Sequence, residues 1–476
     1  MTFLLPLLVA LVPLLITPGL LFHYDVIPKV VVLAVATAAA LAFPGWITDS
    51  TRLLWARRSG RWFCAAAVAQ ALWYAIATAQ SSRPWFSLLG SNWRRMGLVT
   101  VLCLIVLAVV AAAHLCIRPG SLRNVLRGFA CAAIAAGLYG VCQYFDIDPF
   151  QSVSAYHAQA GDSVIVRPPG TLGHADYFGW WLAIALFCAI GMAREEKGRW
   201  RAVAVAATVL SALAIVATGT RAAMLAGAAG FVSLWLLSEF RLARLRLGWK
   251  PMVSAVLGLG LIASFYLSPA GARLRARVRW SGEEPLGGAR PLLWRDSLRM
   301  ASARPITGFG PETFAAEFPR YQSAELARLF PAFYHESPHN SFLDVLTSEG
   351  IPGVLIAFGA IIAGLYAVRD ARRGKHQPLA AALGSALIAS LVASLFTAVT
   401  LGPAFATLIV LAMLVAISRV DEEPALALRV PTVVVKALAI PIALLLAAIA
   451  VELTISDFRL ARFQSNSLNA AKAMSL

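Results

Sequence analysis

Apolar residues recur along the chain in long runs broken by short polar segments, and the length of each run indicates what it forms. A bilayer core of about 30 Å takes about 20 residues of helix. Runs of that kind lie at 3–22, 27–47, 62–79, 96–117, 124–145, 175–193, 201–218, 222–238, 251–268, 351–368, 377–397, 402–418 and 431–454. The first has no positive n-region and no small-residue cleavage site, so it reads as a retained span rather than a signal peptide. The predicted fold is an all-α polytopic membrane protein with 12–13 transmembrane helices and one large loop containing short helices. It divides into an N-terminal transmembrane bundle (1–268), the loop (269–350), C-terminal transmembrane helices (351–455) and a polar tail (456–476). With thirteen spans the tail lies on the side of the loop; with twelve it lies opposite.

Composition agrees with the pattern. Of 476 residues, 59% are apolar and only 14% charged, which excludes an ordinary water-soluble enzyme. The formal charge of +17 is explained by topology rather than by nucleic acid. Basic residues gather in alternate short loops: Arg52, Arg57, Arg58 and Arg61, then Arg118, Arg123 and Arg127, then Arg194, Lys197, Arg199 and Arg201. Arg241, Arg244, Arg246 and Lys250 continue the series, as do Arg369, Arg372, Arg373 and Lys375. These loops are expected on the cytoplasmic side, which puts 269–350 and its ten arginines outside. The six cysteines form no C-x-x-C pair and read as small core residues.

Candidate chemistry sits at the outer ends of the spans. Thr218-Gly-Thr-Arg221 joins two spans with almost no loop, so Arg221 opens a helix at membrane depth, where a charge is costly unless it faces a cavity or a partner. Helix N-termini also attract anions, although a snorkelling arginine is the plainer alternative. His339-Asn340 ends the long loop, and nine residues later Gly350-Ile-Pro-Gly353 allows a sharp turn into the next span. His339 suits a general base at the mouth of the bundle; a capping or headgroup-contacting histidine is the bland reading. Arg290 starts a predicted amphipathic helix over 290–302, with Arg295 and Arg299 toward lipid headgroups. Arg273, Arg275, Arg277 and Arg279 read as an interfacial basic strip. Arg94, Arg95, Arg167 and His174 are possible substrate contacts, as is Asn340. Asp146 and Asp148 are formally an acidic pair, but a solvated helix end accounts for them more simply than a metal, and no metal or cofactor is expected.

Taken together, Arg221-x-x-x-Leu225, Arg290, and His339-Asn340 followed by Gly350-x-x-Gly353 resemble the O-antigen ligases and their relatives. Those relatives are the lipid-linked oligosaccharide polymerases and the bacterial protein O-oligosaccharyltransferases. The resemblance implies a C-type glycosyltransferase in the bacterial inner membrane, working at the periplasmic face without metal. It implies a glycan donor on undecaprenyl diphosphate and a hydroxyl acceptor, whether lipid A core, a growing glycan or a protein. By the same analogy Arg221 and Arg290 hold the diphosphate and His339 activates the acceptor. Elementary chemistry supports that division of roles. Arginine forks stay charged and pair with phosphate oxygens, and each well-placed donor can stabilise a departing charge by roughly 3–4 kcal/mol. From another class, a small-anion transporter of the bicarbonate type remains open. It calls for internal repeats or broken helices with polar groups near midplane, neither of which is clear here.

Overall fold

The computed structural model describes residues 2–42, 52–160, 163–238, 263–283, 288–331, 333–420 and 432–474. Helices α1 (Leu4–Leu14) and α2 (Ile27–Ala42) are followed by α3 (Arg58–Ala79), the short α4 (Pro84–Leu89), α5 (Leu98–Ile117) and α6 (Ser121–Tyr144). An antiparallel hairpin, β1 (His157–Ala160) and β2 (Ser163–Val166), precedes α7 (Ala175–Glu195), α8 (Gly198–Thr218) and α9 (Arg221–Leu237). The long loop holds α10 (Ala272–Glu283), α11 (Arg290–Ala303), α12 (Phe314–Glu317) and α13 (Ala324–Leu329). The order ends with α14 (Ser341–Ala371), α15 (Gln377–Ser394), α16 (Leu401–Ile417) and α17 (Thr432–Met474).

The protein is an all-α multi-pass membrane protein. Eight of the described helices are long and apolar enough to cross a bilayer, and α1, α2, α9 and α16 are shorter apolar helices at other expected spans. The run expected at 251–268 lies mostly outside the described residues, as do Arg241, Arg244, Arg246 and Lys250. Large apolar side chains such as Val68, Leu72, Leu236, Ile362 and Leu444 are exposed on the bundle surface, an arrangement suited to lipid and not to water.

At the centre stands α7. Its residues from Phe178 to Ala189 are buried throughout, and it packs against α6, α8, α9, α15 and α16. Trp180 Nε1 donates to Ser390 Oγ at 2.9 Å, tying α7 to α15. Cys103, Cys116 and Cys188 are buried as expected, whereas Cys131 is exposed. The loop between α10 and α14 has a small core of its own, built from Leu293, Met300, Phe309, Phe314, Phe318 and Leu326.

Two features place the functional end of the bundle. First, the tail is not a separate element but the continuation of α17. Asp457 accepts from the His23 backbone N–H at 2.9 Å and contacts its imidazole at 2.7 Å, so the middle of α17 sits beside the α1–α2 loop. Second, α14 contains the anticipated turn. Gly350 adopts φ 70° and ψ −168°, which separates a short leading segment from the spanning part of the helix. The loop residue Pro305 accepts from Ile351 N at 2.8 Å, and Trp73 Nε1 donates to the Glu349 carbonyl at 2.8 Å. A Cβ at position 350 would lie 2.2 Å from the Ile306 carbonyl oxygen.

Gly350→Ala is therefore expected to destabilise the protein by at least about 1–3 kcal/mol, from the positive φ and the backbone clash together. Thermal unfolding of the purified protein in detergent reads this, and a melting temperature at or above wild type would contradict the assignment.

Candidate active site

Gly219 ends α8 in the left-handed conformation at φ 61°, and Thr220 then leads directly into α9. This turn makes Arg221 the first residue of α9 and explains how two spans are joined almost without a loop. From the long loop, Arg277 reaches the same turn and donates its Nε to the Gly219 carbonyl at 2.7 Å. Burial, with repulsion from Arg167 and Arg221, pulls the Arg277 guanidinium down to about 10. It is still a cation at neutral pH.

Arg290 begins α11, and its Nη2 donates to the Phe396 carbonyl at 3.1 Å. The same nitrogen lies 4.0 Å from Asp176 Oδ2 in the first turn of α7. Arg167 donates its Nη2 to the other Asp176 oxygen at 2.8 Å. His174 caps α7, its Nδ1 accepting from Asp176 N at 3.2 Å. Burial lowers the Arg290 guanidinium's affinity for its proton; Asp176 opposes this, while Arg221 and Arg167 reinforce it. Three guanidinium groups, Arg167, Arg290 and Arg277, are thus within electrostatic reach of the Asp176 carboxylate, and Arg221 lies within reach of Arg290 and Arg277.

His339 closes the cluster. It sits just before α14 with φ 49°, a strained conformation for a residue with a side chain. Asn340 fixes that geometry by capping α14, its Oδ1 accepting from Phe342 N at 3.0 Å and Leu343 N at 3.1 Å. Burial first, and then the positive charge of Arg290, push the His339 imidazole down to about 4, with Asp176 opposing. The ring is neutral at physiological pH. Asn340 was expected as a possible substrate contact; here its side-chain oxygen is occupied by the helix terminus.

Two other expected contacts lie outside the cluster. Arg94 is buried in an ion-pair triad, its Nε on Glu312 Oε1 and its Nη1 on Asp344 Oδ2 at 2.6 Å. Burial opposes the Arg94 charge, but the Asp344 and Glu312 carboxylates outweigh it and hold the guanidinium's pKa above its ordinary value. The triad ties the loop before α5 and the turn before α12 to the first turn of α14. Arg95 Nη1 donates to the Gly90 carbonyl at 3.2 Å. Beneath the triad lies a largely apolar cavity of about 380 Å³, lined among others by Tyr74, Leu104, Trp180, Ser390 and Leu408.

Several loop residues do something other than what their sequence suggests. Arg295 pairs with Glu325 at 2.8 Å and bonds Ser323 Oγ at 2.8 Å, and Arg299 bonds the Tyr321 carbonyl, so both serve the loop's own core rather than headgroups. Three arginines of the basic strip, Arg273, Arg275 and Arg277, bond backbone carbonyls. Arg273 reaches the Tyr144 carbonyl and Asp146, and Arg275 the Tyr266 and Ser268 carbonyls. The acidic pair is divided between different donors: Asp146 meets Arg273 and His157, while Asp148 accepts from Tyr139, Gln143 and the backbone N–H of Phe150 and Gln151. Arg277, which the sequence places in an interfacial basic strip, and Asp176, which it gives no role, join the cluster instead.

Removing Arg94 leaves two buried carboxylates uncompensated, so Arg94→Ala is expected to destabilise the fold by about 3–5 kcal/mol. Asn340→Ala is expected to cost about 1 kcal/mol through the lost cap, with Asn340→Asp recovering most of it. Thermal unfolding in detergent checks both, and a neutral Arg94→Ala would refute the clamp.

No curated protein matches the chain. Residues 206–358 match the family model described as O-Antigen ligase. The matched segment contains Arg221, Arg277, Arg290, His339, Asn340 and the Gly350 turn, whereas Arg94, Arg95, Arg167, His174 and Asp176 precede it. Over residues 206–358, and in agreement with the motifs read from its sequence, this polytopic membrane protein is similar to the O-antigen ligase family.

Proposed function

We propose that the protein is a metal-independent, inverting glycosyltransferase of the O-antigen ligase type. It transfers a glycan from undecaprenyl diphosphate to an acceptor hydroxyl at the periplasmic face of the bacterial inner membrane. The observation that carries this reading is the gathering of Arg221, Arg277, Arg290 and Arg167 beside a neutral imidazole at one end of an apolar bundle.

The chemistry follows from the charges. Attack of the acceptor oxygen on the anomeric carbon breaks the C–O bond to the diphosphate, and the electron pair leaves with the phosphate oxygen. Arg221 and Arg290 receive that growing negative charge in a partly dry site, where fixed cations act more strongly than in water. His339 takes the acceptor proton. Its low proton affinity in the empty site is largely a response to burial and to Arg290; a bound diphosphate offsets the arginine charge and raises the basicity when it is needed. The apolar cavity beneath the Arg94 triad, whose lining includes Ser341 two residues after His339, suits substrates carried on lipid. Reading the arginines as an anion-transport path fits less well, because they collect at one end of the bundle instead of near midplane.

Purified protein given a glycan on undecaprenyl diphosphate is expected to glycosylate a lipid A core acceptor in preference to a free glycan or a serine peptide. Arg221→Ala, Arg290→Ala and His339→Ala should each reduce transfer by at least about a thousandfold while the protein stays folded. Wild-type turnover in any of the three would refute its assigned role.

The pH profile gives a further check. The base works when neutral and its folded pKa lies below the ordinary value, so activity is present above the folded pKa and lost beneath it. Transfer kcat/KM for the donor, which reports the enzyme before donor binds, should therefore stay level from pH 8 to about pH 5 and fall near pH 4. An acid limb near 6.5 would indicate a solvated histidine and contradict the burial described above.

A further inference from the structure

Asp176 is a carboxylate set between Arg167 and Arg290 in the arginine cluster. One oxygen accepts from Arg167 Nη2 at 2.8 Å and the other lies 4.0 Å from Arg290 Nη2. The carboxylate is only 11% exposed, while Arg167 and Arg290 are each 25% exposed. It also stands in the first turn of α7, where the backbone N–H groups favour an anion, and His174 fastens its backbone. The other charged or titratable groups that act on it are Arg277, His339 and the His174 ring, while Arg221 acts on Arg290 and Arg277.

A carboxylate in this position presents to two arginine forks the kind of oxygen that a phosphate would present. We propose that Asp176 is a built-in competitor for the diphosphate. In the empty protein it holds Arg167 and Arg290 apart and aimed, despite their mutual repulsion. When donor arrives, the more highly charged diphosphate takes over both forks. After transfer, the carboxylate competes for them again and speeds release of the undecaprenyl diphosphate product. On this account Arg167 is a third diphosphate ligand, and Asp176 is a positioning residue that limits how tightly the product is held.

The inference rests on the diphosphate reading of the site, and one experiment separates the two. Farnesyl diphosphate serves as the probe, with binding to the full-length protein in nanodiscs measured by calorimetry. Wild type should bind it and Arg290→Ala should not. Asp176→Asn, which keeps the shape and removes the charge, should bind at least about tenfold more tightly. In steady-state transfer the same variant should show a lower donor KM together with a lower kcat, and Asp176→Glu should return both toward wild type. Asp176→Ser carries the same test if the Asn variant unfolds. Wild-type binding with unchanged or weaker binding by the neutral variant would overturn the competitor role and leave the diphosphate site standing. Absence of binding by wild type would overturn the site reading, and this proposal with it.

Discussion

Cations placed at the edge of a bilayer repel one another and lose hydration, so they persist only where something compensates them. In this protein part of the compensation comes from one carboxylate, Asp176, which acts on Arg167, Arg290 and Arg277, and part from backbone carbonyls such as those of Gly219 and Phe396. The remaining positive field is what an anionic ligand would complete. The neutrality of His339 has the same origin, since burial and the adjacent guanidinium both disfavour a second positive charge there.

The rest of the architecture serves to hold that arrangement still. Helix α7 is buried along its length and fixes Asp176 and His174. The left-handed Gly219 places Arg221 at the head of α9. On the far side of His339, the Asn340 cap and the Arg94–Glu312–Asp344 triad lock the leading segment of α14, and the Gly350 turn sets its angle to the membrane-spanning part. A buried ion triad adds little net stability but strongly penalises any arrangement that breaks it. Its value here lies in specifying one loop geometry.

Much of this was legible in the sequence, for definite reasons. Spans were readable because a helix in lipid must be apolar over a fixed length, and the described helices lie where the apolar runs do. Arg221 stood out because it interrupts an apolar run at an abrupt junction, and Arg290 and His339 because, with it, they make up the motifs that resemble the O-antigen ligases. What pattern could not supply was pairing. Arg94 and Arg277 look alike as loop arginines, yet one is neutralised by two carboxylates and the other joins the cluster. Asp176 reads locally as an acid suited to a helix N-terminus, and its central position depends on residues from three other segments. The hairpin at 157–166 and the loop's own core likewise arise from contacts that short periodicities do not encode.

The central claim is spatial: one diphosphate-sized anion site formed by Arg221 and Arg290 next to His339. A cryo-electron microscopy structure of the protein in nanodiscs with undecaprenyl diphosphate tests it most directly. The account predicts phosphate density touching the Arg221 and Arg290 guanidinium groups, with Asp176 displaced from Arg167. Density at the opposite end, among Arg194, Lys197 and Arg372, with the Arg167–Asp176 contact intact, would contradict it.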